Sequence, residues 1–264
     1  MTEIRQKSDI HHPNHRKTLF KFYAYGFLKN LRFFEPFLYL YFLSNGLSYF
    51  EIGFLIMIRE AFVNIFEIPT GIAADLTGRR RTMAIAFLSY MFSFSIFYLF
   101  SSLLSFTTAM IMFAFGEALR SGTHKSMIME FVEIEDFEGG KIRCYGKTRG
   151  VSRLGSALSA LLAGFIVFIR RSYNIVFLAT LLPYTLGFLL MLTYPPELDG
   201  KTSGAPWRDL WDHTKESFRN ILYNGELRRM LINSSFYDAF FKISKDYLSQ
   251  LLNTLLFLYL FSSH

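Results

Sequence analysis

The stretch AIAFLSYMFSFSIFYLFSSLL, residues 84–104, contains no charged side chain over its whole length. A helix of about 20 apolar residues is long enough to cross the hydrocarbon core of a bilayer. The apolar residues are continuous, whereas the strands of a membrane barrel alternate apolar and polar positions. The stretch therefore predicts one transmembrane helix.

Similar runs precede and follow this helix along the chain. Hydrophobic residues make up 52% of the 264 residues and charged residues 19%, below the roughly 25% of a soluble domain. The predicted spans are 20–44, 50–70, 82–103, 106–127, 149–169 and 173–194, with a seventh near 231–261. The sequence thus predicts an all-α polytopic membrane bundle of six or seven transmembrane helices. We expect most of the 31 Phe and 15 Tyr on lipid-facing and interfacial surfaces.

The orientation of the spans follows from the lysines and arginines between them. Five precede or begin the first span, three lie between spans 2 and 3, seven between spans 4 and 5, and six after span 6. Only Arg170 and Arg171 lie on the opposite side. This asymmetry predicts a cytoplasmic N-terminus in the plasma (inner) membrane. Orientation and acidic lipid account for the net charge of +7, so a nucleic-acid partner need not be invoked.

The spans and loops suggest four regions. Residues 1–18 form a polar cytoplasmic leader and 19–194 a six-helix bundle, while 230–264 begin a second bundle with the seventh helix. Residues 195–229 form a cytoplasmic linker in which apolar residues recur at helical spacing. This amphipathic helix either lies in the headgroup region or packs on the protein's own cytoplasmic surface.

The loop after span 2 carries the most specific motif. It reads GIAADLTGRRR over residues 71–81, with Gly71, Asp75, Gly78, Arg79 and Arg80 at fixed spacing. Gly71 allows two helices to approach closely, and Gly78 permits a tight turn. The charge of Asp75 is placed to cap a neighbouring helix or to pair with the arginines.

This loop resembles the signature G-x-x-x-D-x-x-G-R-[RK] of the major facilitator superfamily, at the position where that family has it. It departs from the pattern at Ala73 and Leu76. A weaker resemblance lies at the end of span 4, where Arg120 matches the family's fourth-helix arginine. The resemblance implies a 3+3 inverted repeat, with the loop acting as an inner gate latch.

Several charged residues fall within the predicted spans, where each is costly and therefore a candidate functional group. We predict that spans 1 and 2 are cross-linked by a Glu35–Arg59 or an Arg32–Glu60 pair. The polar residues of spans 1, 4 and 7 each form one stripe at helical spacing, as expected for helices facing a water-filled cavity. The candidates for the substrate and proton pathway are Lys29, Arg32, Glu35, Arg59, Glu60, Glu67, Glu117, Arg120, Asp238 and Lys242.

These residues predict a secondary transporter that moves a small solute by alternating access and is coupled to protons. Glu35, Glu60 and Glu117 are the candidate proton carriers, because desolvation can raise the pKa of a carboxylate. The alternative for each is a static ion pair that holds helices together. The three basic residues at 29, 32 and 120 favour an anionic or zwitterionic solute.

Other classes of function lack sequence support. No phosphate-binding loop, zinc-ligand spacing or nucleophile elbow occurs in the sequence, so we expect no enzymatic activity, no cofactor and no metal site. The expected partners are a small-molecule substrate, protons, the lipid bilayer, and a missing C-terminal half or another subunit. The second functional interpretation is a truncated or half-transporter that does not transport unaided.

Overall fold

A computed structural model describes residues 15–134 and 140–199. Beyond these it describes only positions 208, 211–212, 215–216, 219, 223–226, 228–230, 233 and 237. All regular elements in this part of the chain are helical, which confirms the predicted all-α class. The chain divides into two compact units, residues 1–207 and 208–264. Of the predicted seventh span, 231–261, the structure describes only positions 233 and 237, and Asp238 and Lys242 lie outside the described residues.

The first unit contains eight α-helices in its described residues. Their bounds are α1 His15–Leu28, α2 Leu38–Ser44, α3 Tyr49–Thr77, α4 Arg79–Leu99, α5 Leu103–Arg120, α6 Thr123–Ile134, α7 Gly140–Arg170 and α8 Ile175–Leu192. Each of the six predicted spans has a helical counterpart. Spans 1 and 4 are each built from two helices, α1 with α2 and α5 with α6.

The first span is interrupted in its middle. Helix α1 ends at Leu28, and a 3₁₀ turn at Glu35–Phe37 precedes α2. Pro36 sits at the start of this turn, where its fixed φ is tolerated, but it lacks the N–H that a continuous α-helix would require. The segment between the two helices carries Lys29 and Arg32, so the break presents charged residues within a predicted span.

The second span is a longer helix than predicted. A capping box starts α3: the Glu51 N–H donates to Ser48 Oγ at 3.3 Å, and the Ser48 N–H donates to Glu51 Oε2 at 2.8 Å. These two bonds satisfy N–H groups that have no partner inside the helix. The helix continues to Thr77 and ends at Gly78, within the motif loop.

Four helical stretches are long and apolar enough to cross a membrane, judged by length and composition. They are Arg79–Leu99, Leu103–Val132, Tyr145–Arg170 and Ile175–Leu192, the counterparts of predicted spans 3 to 6. The counterparts of spans 1 and 2 fall outside this set. The helices of span 1 are short, and α3 carries Arg59, Glu60 and Glu67.

The core of the first unit is built largely from aromatic side chains. The ring of Phe34 contacts the rings of Phe94 and Phe177. The ring of Tyr41 contacts those of Phe177 and Phe106 and so extends the same cluster. All five are buried. The expectation that most Phe and Tyr face lipid is therefore wrong for a large group of them. The aromatic rings fill the space where α4 packs against α5 and α8.

Candidate functional site

A carboxylate held between two guanidinium groups lies at the centre of the candidate site. Arg32 Nη2 donates to Glu117 Oε1 at 2.6 Å, and Arg120 Nη2 donates to Glu117 Oε2. Arg120 Nε also donates to the Tyr90 hydroxyl at 3.1 Å. The three charged side chains are only 18–19% exposed. We refer to Arg32, Glu117 and Arg120 as the charged triad.

The local structure explains how the triad forms. Glu117 and Arg120 occupy positions i and i+3 of the last turn of α5, so both side chains lie on one face of that helix. The C-terminal end of a helix favours a positive charge, which suits Arg120. Arg32 reaches Glu117 from the break between α1 and the 3₁₀ turn. The triad therefore joins the interrupted first span to the fourth.

Polar and aromatic groups from other helices surround the triad. The Tyr184 hydroxyl of α8 donates to the Lys29 carbonyl oxygen at 3.2 Å. The ring of Tyr25 stacks on that of His124, with centroids 3.7 Å apart. The predicted polar stripes of the first and fourth spans thus meet one another in the first unit.

Lys29 differs from the two arginines in its environment. Its ammonium nitrogen lies 5.8 Å from the centre of the Tyr25 ring, a cation–π distance. Within the described residues, no carboxylate forms an ion pair with it. The site consequently brings three basic side chains around the one carboxylate of Glu117.

The predicted cross-link between spans 1 and 2 is wrong. Arg32 pairs with Glu117, and Arg59 pairs with its neighbour Glu60 through Nε at 3.0 Å and Nη2 at 2.7 Å. Glu35 is exposed on the 3₁₀ turn. The prediction estimated depths along a continuous first helix, and the break before Pro36 changes the direction in which residues 29–35 project.

Glu67, another predicted site residue, contacts the end of the fourth span. The Ser121 hydroxyl, immediately after α5, donates to Glu67 Oε1 at 3.1 Å. Glu67 itself is exposed. Among the described residues, no group of three or more His, Cys, Asp or Glu side chains is arranged to hold a metal ion.

The motif loop forms a second polar site, at the junction of α3 and α4. Arg79 Nη1 pairs with Glu130 Oε2 of α6 at 3.1 Å. The backbone N–H of Arg80 donates to Asp199 Oδ1 at 2.7 Å, and its guanidinium donates to the Tyr194 carbonyl oxygen at 2.9 Å. The two arginines therefore fix the start of α4 to α6 and to the segment after α8.

Asp199 performs the capping role that the sequence had suggested for Asp75. Its carboxylate accepts from an N–H in the first turn of α4, where a negative charge is favoured. Asp75 is exposed on α3, and the acidic partners of Arg79 and Arg80 are Glu130 and Asp199. Asp199 was missed because it lies 119 residues from Arg80 in sequence, within an ordinary-looking polar loop.

Substitution of Gly78 tests this second site. Gly78 has φ +92°, and an added Cβ would lie 3.0 Å from Asp199 Cγ. We expect Gly78→Ala to reduce stability by about 1–3 kcal/mol, since an L-residue is strained there. The melting temperature of the purified protein in detergent measures this loss.

Gly71→Ala is the matched control for Gly78→Ala, because Gly71 lies inside α3 and no described heavy atom lies within 4 Å of the Cβ it would add. The close helix approach predicted at Gly71 is therefore wrong for the described residues. Alanine favours a helix interior over glycine, so the melting temperature should stay constant or rise. Equal losses at the two positions would contradict the assignment of Gly78 to a strained turn.

Comparison with known proteins adds information on the family. The sequence model of the Major Facilitator Superfamily matches residues 25–263. The uncharacterized MFS-type transporter YxaM of Bacillus subtilis (strain 168) is 25% identical over 223 residues, which is 83% of this chain and 54% of that protein.

Solved structures with the same fold were also found. The peptide transporter POT superposes with a TM-score of 0.56 at 18% identity, over 86% of this chain and 49% of that chain. The human organic anion transporter MFSD10 superposes with a TM-score of 0.53 at 16% identity, over 76% and 53%. The chain thus spans about half the length of the proteins it matches.

Proposed function

The chain belongs to the major facilitator superfamily of multi-pass membrane transporters, and from that premise we propose that it moves a small solute by alternating access. The observation that carries the proposal is the charged triad, which is largely buried where the break in the first predicted span meets α5. Charges at this depth are costly and mark solute or ion pathways by default. A transporter of this kind has no enzymatic activity and no cofactor.

The domain organisation proposed from the sequence fits this function. Residues 19–194 would form one wall of the transport pathway, and 195–229 would link them to a second wall that begins at residue 230. Because the chain spans about half of its relatives, the opposite wall would come from a second half. We further propose a cytoplasmic N-terminus in the plasma membrane, on the basis of the charge asymmetry of the loops.

A half-transporter that acts only with a second half is the other candidate function, and the half-length coverage favours it. Reconstitution of this chain alone, and together with a separately expressed candidate second half, separates the two functions. Solute movement by the chain alone would exclude the half-transporter. Movement only in the presence of the second half would establish it.

Proton coupling is the finer part of the proposal. In the structure Glu117 is held by two guanidinium groups, which stabilise its charge. Glu60 has a half-buried side chain that pairs with Arg59, and Glu35 is exposed at the break in the first span. Glu35 and Glu60 are therefore better placed than Glu117 to exchange a proton without first breaking the triad.

We expect at least one of the single variants Glu35→Gln, Glu60→Gln and Glu117→Gln to lose accumulation of solute against its gradient. A carboxamide cannot carry the proton that drives uphill transport. The measurement uses proteoliposomes with an imposed pH gradient and a panel of radiolabelled amino acids, organic acids and sugars. Glu197→Gln, at an exposed position after α8, should transport like the wild type. An unchanged pH dependence in all three variants would rule out these carboxylates as proton carriers.

A further inference from the structure

Basic groups outnumber acidic groups in the site around the charged triad. Lys29, Arg32 and Arg120 lie around Glu117, and both carboxylate oxygens of Glu117 are already bonded to the two arginines. The Lys29 ammonium lies against the Tyr25 ring and forms no ion pair within the described residues; the acidic group that acts on it is Glu117, which is already bonded to both arginines. Lys29 is half-buried, and a cation that is partly removed from water is stabilised when a counter-charge approaches it.

Arg32 also retains an unused hydrogen-bond donor. Its Nε is buried and has no acceptor in hydrogen-bond geometry, although Nη2 is bonded to Glu117. The Nε of a guanidinium group can only donate. Buried polar groups are nearly always satisfied by protein, water or ligand. An oxyanion would supply both the acceptor that the Nε of Arg32 lacks and a counter-charge for the ammonium of Lys29.

From these two observations we propose that the Lys29–Arg32 site binds the oxyanion group of an organic acid, a carboxylate or a phosphonate, as the transported solute. The oxygens of an oxyanion can accept from the Nε of an arginine and from an ammonium group at the same time. The inference rests on the proposed transport function, and it specifies the chemical class of the solute.

The surroundings of the site suggest the character of the rest of the solute. The Arg32 guanidinium carbon lies 5.9 Å from the centre of the buried Phe113 ring, and the Lys29 ammonium lies against Tyr25. Aromatic walls next to a cationic end provide an apolar surface for an organic skeleton. An acid with a short aromatic or aliphatic body is therefore a suitable probe.

Three probes with one skeleton isolate the charged group: 3-phenylpropionate, 3-phenylpropanol and 3-phenylpropylamine. Sulfate serves as an oxyanion without a skeleton. We expect the acid or sulfate to raise the melting temperature of the purified protein by about 2 °C or more at saturation, and the alcohol and the amine to have no effect. Loss of helical circular dichroism reports the unfolding, because the regular elements of the described residues are helical.

Variants of Lys29 link the effect to the site. Lys29→Gln should abolish stabilisation by the acid, and Lys29→Arg should retain it because the positive charge is kept. Without any probe, Lys29→Gln should be at least as stable as the wild type, since it removes an uncompensated cation. Lys147→Gln, an exposed lysine of α7, should leave both measurements unchanged.

Two results would overturn the inference. One is that neither the acid nor sulfate raises the melting temperature, or that the amine alone does. The other is that Lys29→Gln strongly destabilises the protein without a probe, because the lysine would then have its counter-charge within the chain.

Failure of the transport function can be distinguished from failure of the proposed anion binding. An acid that binds at Lys29 but does not cross vesicle membranes supports the inference and contradicts transport. Transport of neutral or cationic solutes without any binding of the acid supports transport and contradicts the inference.

Discussion

Replacing Glu117 by glutamine is expected to lower the stability of the protein by about 3–5 kcal/mol, the largest effect of any single change of charge in the described residues. The substitution leaves Arg32 and Arg120 both largely buried and without a counter-ion. Glutamine keeps the size of the side chain and one acceptor, so the loss arises from charge and not from a cavity. A fall in melting temperature of roughly 6 °C or more would follow.

The control for this experiment is Glu130→Gln, which removes the carboxylate of a more exposed ion pair. Arg79 and Glu130 are 21% and 29% exposed, and pairs near the surface contribute about 1 kcal/mol or less. The double variant Glu117→Gln/Arg120→Gln provides a sharper test. Because it removes a cation together with its partner, it should be more stable than the sum of the two single losses predicts. Additive losses would show that the triad is not an energetic unit.

Much of the fold is predictable from the sequence because the bilayer imposes simple requirements. The charge-free run at 84–104 anticipates most of α4, and the apolar runs at 149–169 and 173–194 fall in α7 and α8. The loop at 71–81 identified the family on the basis of five residues. In each case the signal is local, because a length, a composition or a fixed spacing can be recognised without knowledge of the tertiary contacts.

The partners within the site could not be predicted in this way. Helix α1 ends at Leu28, eight residues before Pro36, and residues on either side of a break no longer follow the helical period used to estimate depth. Glu117 and Arg32 are 85 residues apart, so only the packing of the fifth helix against the interrupted first span brings them together. The polar stripes of spans 1 and 4 anticipated that the charged triad is largely buried, but they wrongly included the exposed Glu35 and contained no information on which charges meet.

The aromatic residues show the same limit. Composition cannot separate a phenylalanine that faces lipid from one that faces protein, because both surroundings are apolar. Phe92 is 64% exposed and Phe94 is fully buried, two positions apart on the same helix. The packing of α4 against α5 and α8 decides which of the two rings is buried. In the sequence this difference appears only in the helical period, which a continuous apolar run hides.

Gly155→Leu is the second change with a large expected effect, because it separates α7 from α1. A Cβ at position 155 would lie 2.7 Å from the Phe27 carbonyl oxygen and 3.3 Å from its Cα. Both atoms belong to the backbone of α1, which cannot move aside as a side chain can. Gly26 makes the reciprocal approach, since its Cβ would lie 2.8 Å from Ser152 Oγ. We expect a loss of about 3 kcal/mol for leucine.

Gly164, nine residues further along α7, is the matched control because no heavy atom lies within 4 Å of the Cβ it would add. Alanine is favoured over glycine inside a helix by about 1 kcal/mol, so Gly164→Ala should raise the melting temperature. Gly155→Ala adds the same methyl group to the same helix and should lower it. Changes in melting temperature of opposite sign separate the effect of the contact with α1 from the effects of helix propensity and of lipid. If both alanine variants were stabilised, α1 and α7 would not pack through Gly155, and the break that carries Lys29 and Arg32 would lose its support from α7.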